Sequence, residues 1–168
     1  MLAFANRISQ TLHEEHRATI ALMERLEQFI VRFRKGAIPD VGDEGIARLL
    51  GDVSTGVEGE IERHFNFEEQ DLFSYLAAVG DVAIGEHLTG EHAAIRPVGA
   101  ALAKLAREAR TLGFDAQRWE EFRRLGQELV DRMLAHVQKE EMALLPLLDE
   151  NMDAEVESEL YQKYVESI

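Results

Sequence analysis

Apolar residues recur at helical spacing along almost the whole chain. In the first segment the apolar stripe consists of Ile8, Leu12, Ile20, Leu22, Met23, Leu26, Phe29, Ile30 and Phe33. This spacing is typical of an amphipathic α-helix, whereas no stretch shows the strict alternation of a half-buried strand. The sequence therefore predicts an all-α fold.

Turn and cap chemistry divides this helical pattern. Glycine, proline and capping residues cluster at 35–39, 79–81, 112–115 and 149–153. The breaks leave four long helices at about 7–35, 43–79, 83–111 and 115–148, and a short fifth at about 154–167. Short connections make consecutive long helices antiparallel neighbours. We therefore expect one domain over residues 1–168, an up-down-up-down antiparallel four-helix bundle with a short extra C-terminal helix.

Two features weaken the helical pattern locally. Four glycines between residues 45 and 59 each cost up to about 1 kcal/mol relative to alanine. Pro97 and Pro146 lie inside the third and fourth predicted helices, where proline removes a hydrogen bond and bends the axis. We expect local kinks at the prolines and no break in either helix.

Charge and composition exclude several classes of function. A formal net charge of -14 argues against binding to nucleic acid or to an anionic membrane, because both need a basic surface. The absence of cysteine excludes disulfides, thiol catalysis and iron–sulfur clusters. The N-terminus does not resemble a secretion signal, and no apolar run approaches the length of a membrane span. We expect a cytoplasmic protein without nucleic-acid or membrane partners.

Four of the six histidines occur at matching places in two halves of the chain. Two of them are followed four residues later by a glutamate, and the other two directly follow one. Positions four apart on a helix differ by only about 40° in direction, so each of the first two pairs presents an imidazole and a carboxylate from one face. The candidate metal ligands are His16, His64, Glu68, His92, His136 and Glu140.

The donor atoms of this set restrict the metal. A single His-x-x-x-Glu pair is usually a surface pair of small energy, but the symmetric recurrence favours a site in the bundle core. Imidazole and carboxylate suit iron, manganese or zinc, and no soft ligand favours copper(I). If Glu68 and Glu140 both bridge two ions that share a solvent oxygen, coordination positions stay open for a small diatomic or peroxide ligand.

The two remaining histidines are weaker candidates. His13 lies one turn before His16 and about 60° away in direction, so it could be a fifth imidazole ligand. His87 precedes His92 by five residues, which is about 140° in direction, and we expect it to face solvent or another helix.

These residues resemble the hemerythrin-like family of histidine-and-glutamate cation-binding domains. The matching motifs are Glu15-His16-Arg17, His64-x-x-x-Glu68-Glu69-x-x-Leu72-Phe73, Glu91-His92-x-x-Ile95-Arg96 and His136-x-x-x-Glu140-Glu141-x-x-Leu144-Leu145-Pro146. The resemblance implies an antiparallel four-helix bundle that holds a non-haem di-iron centre. It implies terminal histidine ligands and bridging glutamates at the six candidate positions. It also implies reversible dioxygen binding, or reaction with oxygen, peroxide or nitric oxide.

The chain departs from the oxygen-carrying hemerythrins at two points. Those proteins have two histidines four apart on the third helix, whereas His87 and His92 are five apart. Their last carboxylate follows its histidine by five residues, which makes Glu141 an alternative to Glu140. The ferritin-like di-iron bundles take ligands from Glu-x-x-His motifs, and no histidine here has a glutamate three residues before it.

Three functional hypotheses follow. The leading one is a protein with two oxygen-bridged iron ions that binds or senses dioxygen, with zinc and manganese as alternative metals. The second is a di-iron oxidase, or an enzyme that reacts with peroxide or nitric oxide. The third is an iron or zinc buffer, or an interaction module with a structural metal. We expect the apolar stripe of the last segment to dock on the bundle, with docking on a second subunit as the alternative. The stripe consists of Val156, Leu160, Tyr161, Tyr164 and Val165.

Overall fold

A computed structural model describes residues 4–168, and five helices account for most of this range. Helix α1 is Arg7–Arg32, α3 is Ala83–Leu112 and α5 is Ala154–Glu166. Helix α2 begins with Glu44–Gly59 and continues through Glu60–Phe65 and Glu68–Leu72 to Phe73–Ala78. Helix α4 begins with Ala116–Lys139 and continues through Glu140–Leu144 to Leu145–Asn151. No strand occurs within residues 4–168, so the predicted all-α fold is confirmed.

The helices begin and end where the turn chemistry predicts. The side chains of Asn6, Asp43, Asp115 and Asp153 each accept a backbone N–H from three residues further on, which satisfies one of the free donors at a helix start. Three of the connections contain a glycine with positive φ, at Gly36, Gly80 and Gly113. Glycine adopts this left-handed conformation without the steric cost that a side chain adds. Helix α1 ends at Arg32, slightly before the predicted position, because the chain already turns towards Gly36.

Neither internal proline breaks its helix. Helix α3 runs through Pro97 without interruption. Pro146 lies in the first turn of Leu145–Asn151, where its missing N–H costs least. The expectation of unbroken helices is therefore confirmed at both positions.

Each long helix packs against its two neighbours, α1 against α2 and α4, and α3 against α2 and α4. The buried apolar residues form two clusters, one containing Met23, Leu26 and Phe122 and the other containing Ile8, Leu12 and Leu144. Helices α1 and α3 run from the second cluster to the first, and α2 and α4 run in the opposite direction. This order confirms the up-down-up-down arrangement.

Helix α5 lies on the outside of the bundle, against α1 and the second half of α2. Its buried residues, Leu160 and Tyr164, belong to the second apolar cluster. Within the part of the chain that the structure describes, no helix combines the length and apolar character needed to cross a membrane.

Candidate metal centre

Helices α2 and α4 both widen into π-helical turns at the predicted ligand motifs. The backbone N–H of Phe73 donates to the carbonyl of Glu68, five residues back, and the N–H of Leu145 donates to the carbonyl of Glu140. Each of these turns begins at a glutamate of the candidate set. Single π-helical turns are rare and often occur at functional sites, and their matching positions extend the internal repeat to the backbone.

All six candidate ligands lie together in the core, and none has more than 2% of its surface exposed. They come from all four long helices and form a polar layer between the two apolar clusters. Charged and polar side chains are rarely buried to this extent unless they are paired or hold a metal. The six residues are His16, His64, Glu68, His92, His136 and Glu140.

Glu140 lies between two pairs of imidazoles. Its Oε2 is 2.8 Å from Nε2 of His16 and 3.7 Å from Nε2 of His64. Its Oε1 is 2.5 Å from Nε2 of His136 and 3.8 Å from Nε2 of His92. One carboxylate oxygen therefore faces each pair, which is the arrangement that a carboxylate bridging two ions requires.

Glu68 also lies between the two pairs. Its Oε1 is 3.2 Å from Nε2 of His64 and 3.4 Å from Nε2 of His92. Both oxygens of Glu68 and Nε2 of His64 are buried without a hydrogen-bond partner. Such groups cost about 1–3 kcal/mol each unless something satisfies them. A first-row divalent cation would use these oxygen and nitrogen donors, so the residues fit a metal centre.

Each of the four imidazoles is oriented by a glutamate from a neighbouring helix. Each Nδ1 atom donates a hydrogen bond to one carboxylate. The pairs are His16 with Glu141 at 2.8 Å, His64 with Glu15 at 2.7 Å, His92 with Glu69 at 3.0 Å and His136 with Glu91 at 2.9 Å. A carboxylate can only accept, so Nδ1 carries the proton and Nε2 is left to bind a metal. The four bonds link α1, α2, α3 and α4 into a closed ring.

A basic or histidine side chain pairs with each glutamate of this ring. The pairs are Arg63 with Glu15, Arg96 with Glu69, Lys139 with Glu91 and His13 with Glu141. These outer contacts fix the carboxylates, and the carboxylates in turn fix the imidazole rings. Partners of this kind tune the basicity and orientation of metal-binding histidines.

The carboxylates keep the buried imidazoles protonated when no metal is bound. Burial opposes a charge on His16, but hydrogen bonds to Glu140 and Glu141 outweigh it and raise the pKa to about 9. Burial also opposes a charge on His92, where Glu140 and Glu68 raise the pKa to about 9. Burial would raise the pKa of Glu140, but the surrounding histidines hold it well below its usual range.

We therefore expect metal loading to release protons. An imidazole must be neutral to coordinate a metal, and His16 and His92 are protonated at neutral pH. Loading near pH 7.5 should release protons from both residues, and the number released should fall as the starting pH rises through about 9. A pH indicator in weakly buffered solution measures the release. Loading at pH 7.5 without proton release would contradict this account of the imidazoles.

The structure places the weaker candidates outside the buried cluster. Nδ1 of His13 is 3.0 Å from both oxygens of Glu141, the carboxylate that also accepts from His16. The carboxylate of Glu141 therefore interacts with two imidazoles, those of His13 and His16. His87 lies at the surface with a side chain that is 60% exposed, 3.5 Å from Glu91. None of the three belongs to the groups of buried donors that could share one ion.

Tyr164 connects helix α5 to the centre. Its hydroxyl donates to Glu15 and accepts a hydrogen bond of 2.9 Å from Arg63. Glu15 uses its other oxygen to hold Nδ1 of His64. The orientation of His64 therefore depends on a residue of the C-terminal helix.

We expect Tyr164→Phe to lower the free energy of unfolding by about 1–3 kcal/mol, because the substitution removes hydrogen bonds to charged groups. Denaturant unfolding measures the change. Tyr161→Phe is the matched control, since Arg7 contacts its ring at 4.5 Å and that contact survives. The control should stay within about 0.5 kcal/mol of wild type, and equal effects of the two substitutions would argue against the Tyr164 contact.

Sequence analysis did not identify Glu60 as part of this region. Its carboxylate lies 3.7 Å from Nδ1 of His64, and burial raises its pKa. The signal was present, because Glu60, His64 and Glu68 are spaced four apart and share one helix face.

Comparison with known proteins identifies the family of this bundle. A model of the hemerythrin HHE cation-binding domain matches residues 7–148, a range that covers α1, α2 and α3 in full and α4 up to residue 148. No curated protein matches the chain. The match over most of the chain, together with the buried histidine and glutamate cluster, shows that the chain belongs to the hemerythrin HHE cation-binding domain family.

Proposed function

We propose that this chain is a non-haem di-iron protein that binds or senses dioxygen or a related small molecule. The observation that carries the proposal is the position of Glu140, whose two oxygens face two separate pairs of imidazoles. A single ion would need only one of these pairs. Glu68, on α2, supports the same arrangement because it lies near one imidazole of each pair.

The residues divide the proposed centre into two halves. His16 and His64 would hold one ion, His92 and His136 would hold the other, and Glu68 and Glu140 would bridge them. Iron bound in this way would supply electrons to a small ligand and take them back. Zinc and manganese also accept these donors, and zinc would leave the centre without redox chemistry.

The surroundings of the donors favour a small, uncharged ligand. The ring of Phe65 stacks on His92 at 3.8 Å with an interplanar angle of 6°, and Phe73 lies on the same imidazole at 6.0 Å. These two rings place apolar surface against one of the candidate ligands. Apolar surface disfavours the entry of a charged ligand, which supports a small uncharged one.

Anaerobic reconstitution with ferrous iron followed by exposure to air tests this proposal. Two irons per chain and an optical band that disappears when oxygen is removed would support dioxygen binding. Irreversible conversion to a ferric form would transfer support to the oxidase or peroxide-reactive alternative. Iron uptake with no optical response to oxygen would leave an iron buffer, and no iron uptake would refute the di-iron proposal.

A further inference from the structure

Two surface cavities are related by the internal repeat. The α1/α2 cavity has a volume of about 330 Å³ and lies beside His64, and the α3/α4 cavity has a volume of about 680 Å³ and lies beside His136. Their linings contain matching positions from the two halves of the chain. The matching pairs are Glu15 with Glu91, Ala18 with Ala94, and Glu60 with Arg132.

The two cavities differ in charge at the position one turn before the histidine. Glu60 lines the α1/α2 cavity, whereas Arg132 lines the α3/α4 cavity. The side chain of Glu60 is only 10% exposed. Arg132 is 46% exposed and pairs with Glu128 at 3.2 Å. At this position the repeat therefore places a nearly buried carboxylate beside His64 and an exposed guanidinium, already paired, beside His136, while Glu86, Glu91 and Asp131 also line the α3/α4 cavity.

Glu60 has no hydrogen bond to satisfy it in the described chain. Its distance of 3.7 Å from Nδ1 of His64 is too long for one. Glu15, in the same cavity, is engaged by His64, Arg63 and Tyr164. Arg63 is thus paired with Glu15, and the charged group left beside Glu60 is the His64 imidazole. A carboxylate that is nine-tenths buried and accepts no hydrogen bond needs an explanation.

A cation at this point would take the place of the proton that Nδ1 of His64 shares with Glu15. Ligand atoms of Glu15, Glu60 and His64 lie within 4.8 Å of one another. The α1/α2 cavity has room for a hydrated ion, because six waters of about 30 Å³ each occupy about 180 Å³. A Cβ atom on Gly59 would meet nothing within 4 Å, so the wall is open beside Glu60.

We infer that the α1/α2 cavity is the path by which divalent metal ions reach the centre, and that Glu60 captures them there. The six candidate ligands are at most 2% exposed, so an ion must pass between helices to reach them. The Nδ1 atom of His64 faces Glu15 and Glu60, which line the cavity, and its Nε2 faces Glu68 and Glu140 in the centre, so the ring lies between the two. This inference rests on the proposed metal-binding function.

The test compares rates of cobalt(II) uptake by metal-free protein in stopped-flow absorbance measurements. Glu60→Gln keeps the shape of the side chain and removes its charge. We expect its uptake rate to fall about tenfold, the lower range for electrostatic focusing in a cleft, while chelator competition gives an affinity within about twofold of wild type. Glu62→Gln, which removes an exposed charge two residues away, and Arg132→Gln should both keep the wild-type rate.

A second pair of variants tests the path without changing charge. Gly59 and Gly90 line the two cavities, and at each position a side chain would meet open space. Gly59→Leu should slow cobalt uptake, and Gly90→Leu should not.

Several outcomes would overturn the inference. The inference is wrong if Glu60→Gln and Gly59→Leu both take up cobalt at the wild-type rate. It is also wrong if Arg132→Gln slows cobalt uptake as much as Glu60→Gln does. A loss of affinity in Glu60→Gln at an unchanged uptake rate would make Glu60 part of the final binding site instead. Failure of the wild-type protein to take up cobalt at all would count against the proposed function itself, which keeps the two conclusions separable.

Discussion

Glu140→Gln is expected to abolish tight binding of both metal ions. The substitution removes the one carboxylate whose two oxygens face both imidazole pairs, and it places a neutral amide where four histidines converge. Loss of an orienting partner of a ligand typically costs 10–100-fold in metal affinity. Loss of a shared ligand should therefore cost more than about 100-fold. Metal content after gel filtration and chelator competition measure the effect, with circular dichroism to verify the helical fold.

Glu141→Gln is the matched control for this experiment. Glu141 is adjacent in sequence, but its carboxylate contacts His16 and His13 from outside the buried cluster. We expect a decrease of about 10–100-fold in affinity with the metal-to-protein ratio unchanged. If Glu141→Gln lost the metal and Glu140→Gln retained it, Glu141 would be the bridging residue, as in the spacing of the oxygen-carrying hemerythrins.

Phe65→Ala is expected to lower the free energy of unfolding by about 3–5 kcal/mol. Phe65 is fully buried, stacks on His92 at 3.8 Å and meets the edge of His136 at 5.5 Å. Its removal would leave a cavity beside two candidate ligands, so metal affinity should also fall. Denaturant unfolding of the metal-free and metal-loaded protein separates the two effects.

The control for this substitution is Met142→Ala in the π-helical turn of α4. Met142 is 70% exposed, and surface substitutions of this kind usually change stability by less than about 0.5 kcal/mol. A loss below about 1 kcal/mol in Phe65→Ala would mean that the core collapses around the missing ring. The stacking of Phe65 on His92 would then contribute little to the stability of the fold.

The helices and the buried cluster could be predicted because both depend on short-range periodicity. Apolar spacing fixes the helical faces, and His64 with Glu68 needs only a spacing of four to share a face. Gly36, Gly80 and Gly113 mark the turns because glycine tolerates positive φ. Because the histidine motifs and the turns recur in two halves of the chain, the four histidines are expected at the same height along the bundle axis.

The partners of the imidazoles could not be predicted, because they depend on which helices are neighbours and in which rotational sense. Glu15 and His16 are adjacent in sequence, but successive positions on a helix differ by about 100° in direction. Glu15 therefore orients His64 on α2, while His16 is oriented by Glu141 on α4. The sequence shows where these glutamates occur but not which histidine each of them contacts.

The π-helical turns at Glu68 and Glu140 were also not predicted. A π-helical turn has poor intrinsic stability and arises where tertiary contacts outweigh local preference. Here the contacts are the buried interactions of the two glutamates with imidazoles of other helices. No pattern in the flanking residues distinguishes these stretches from an ordinary amphipathic helix.

The most direct test of the two-ion centre is anomalous diffraction at the iron absorption edge from crystals of the protein loaded anaerobically with ferrous iron. The account predicts two peaks about 3.5–4 Å apart, one beside His16 and His64 and the other beside His92 and His136, with Glu140 between them. A single peak, or peaks outside the ring of imidazoles, would contradict it.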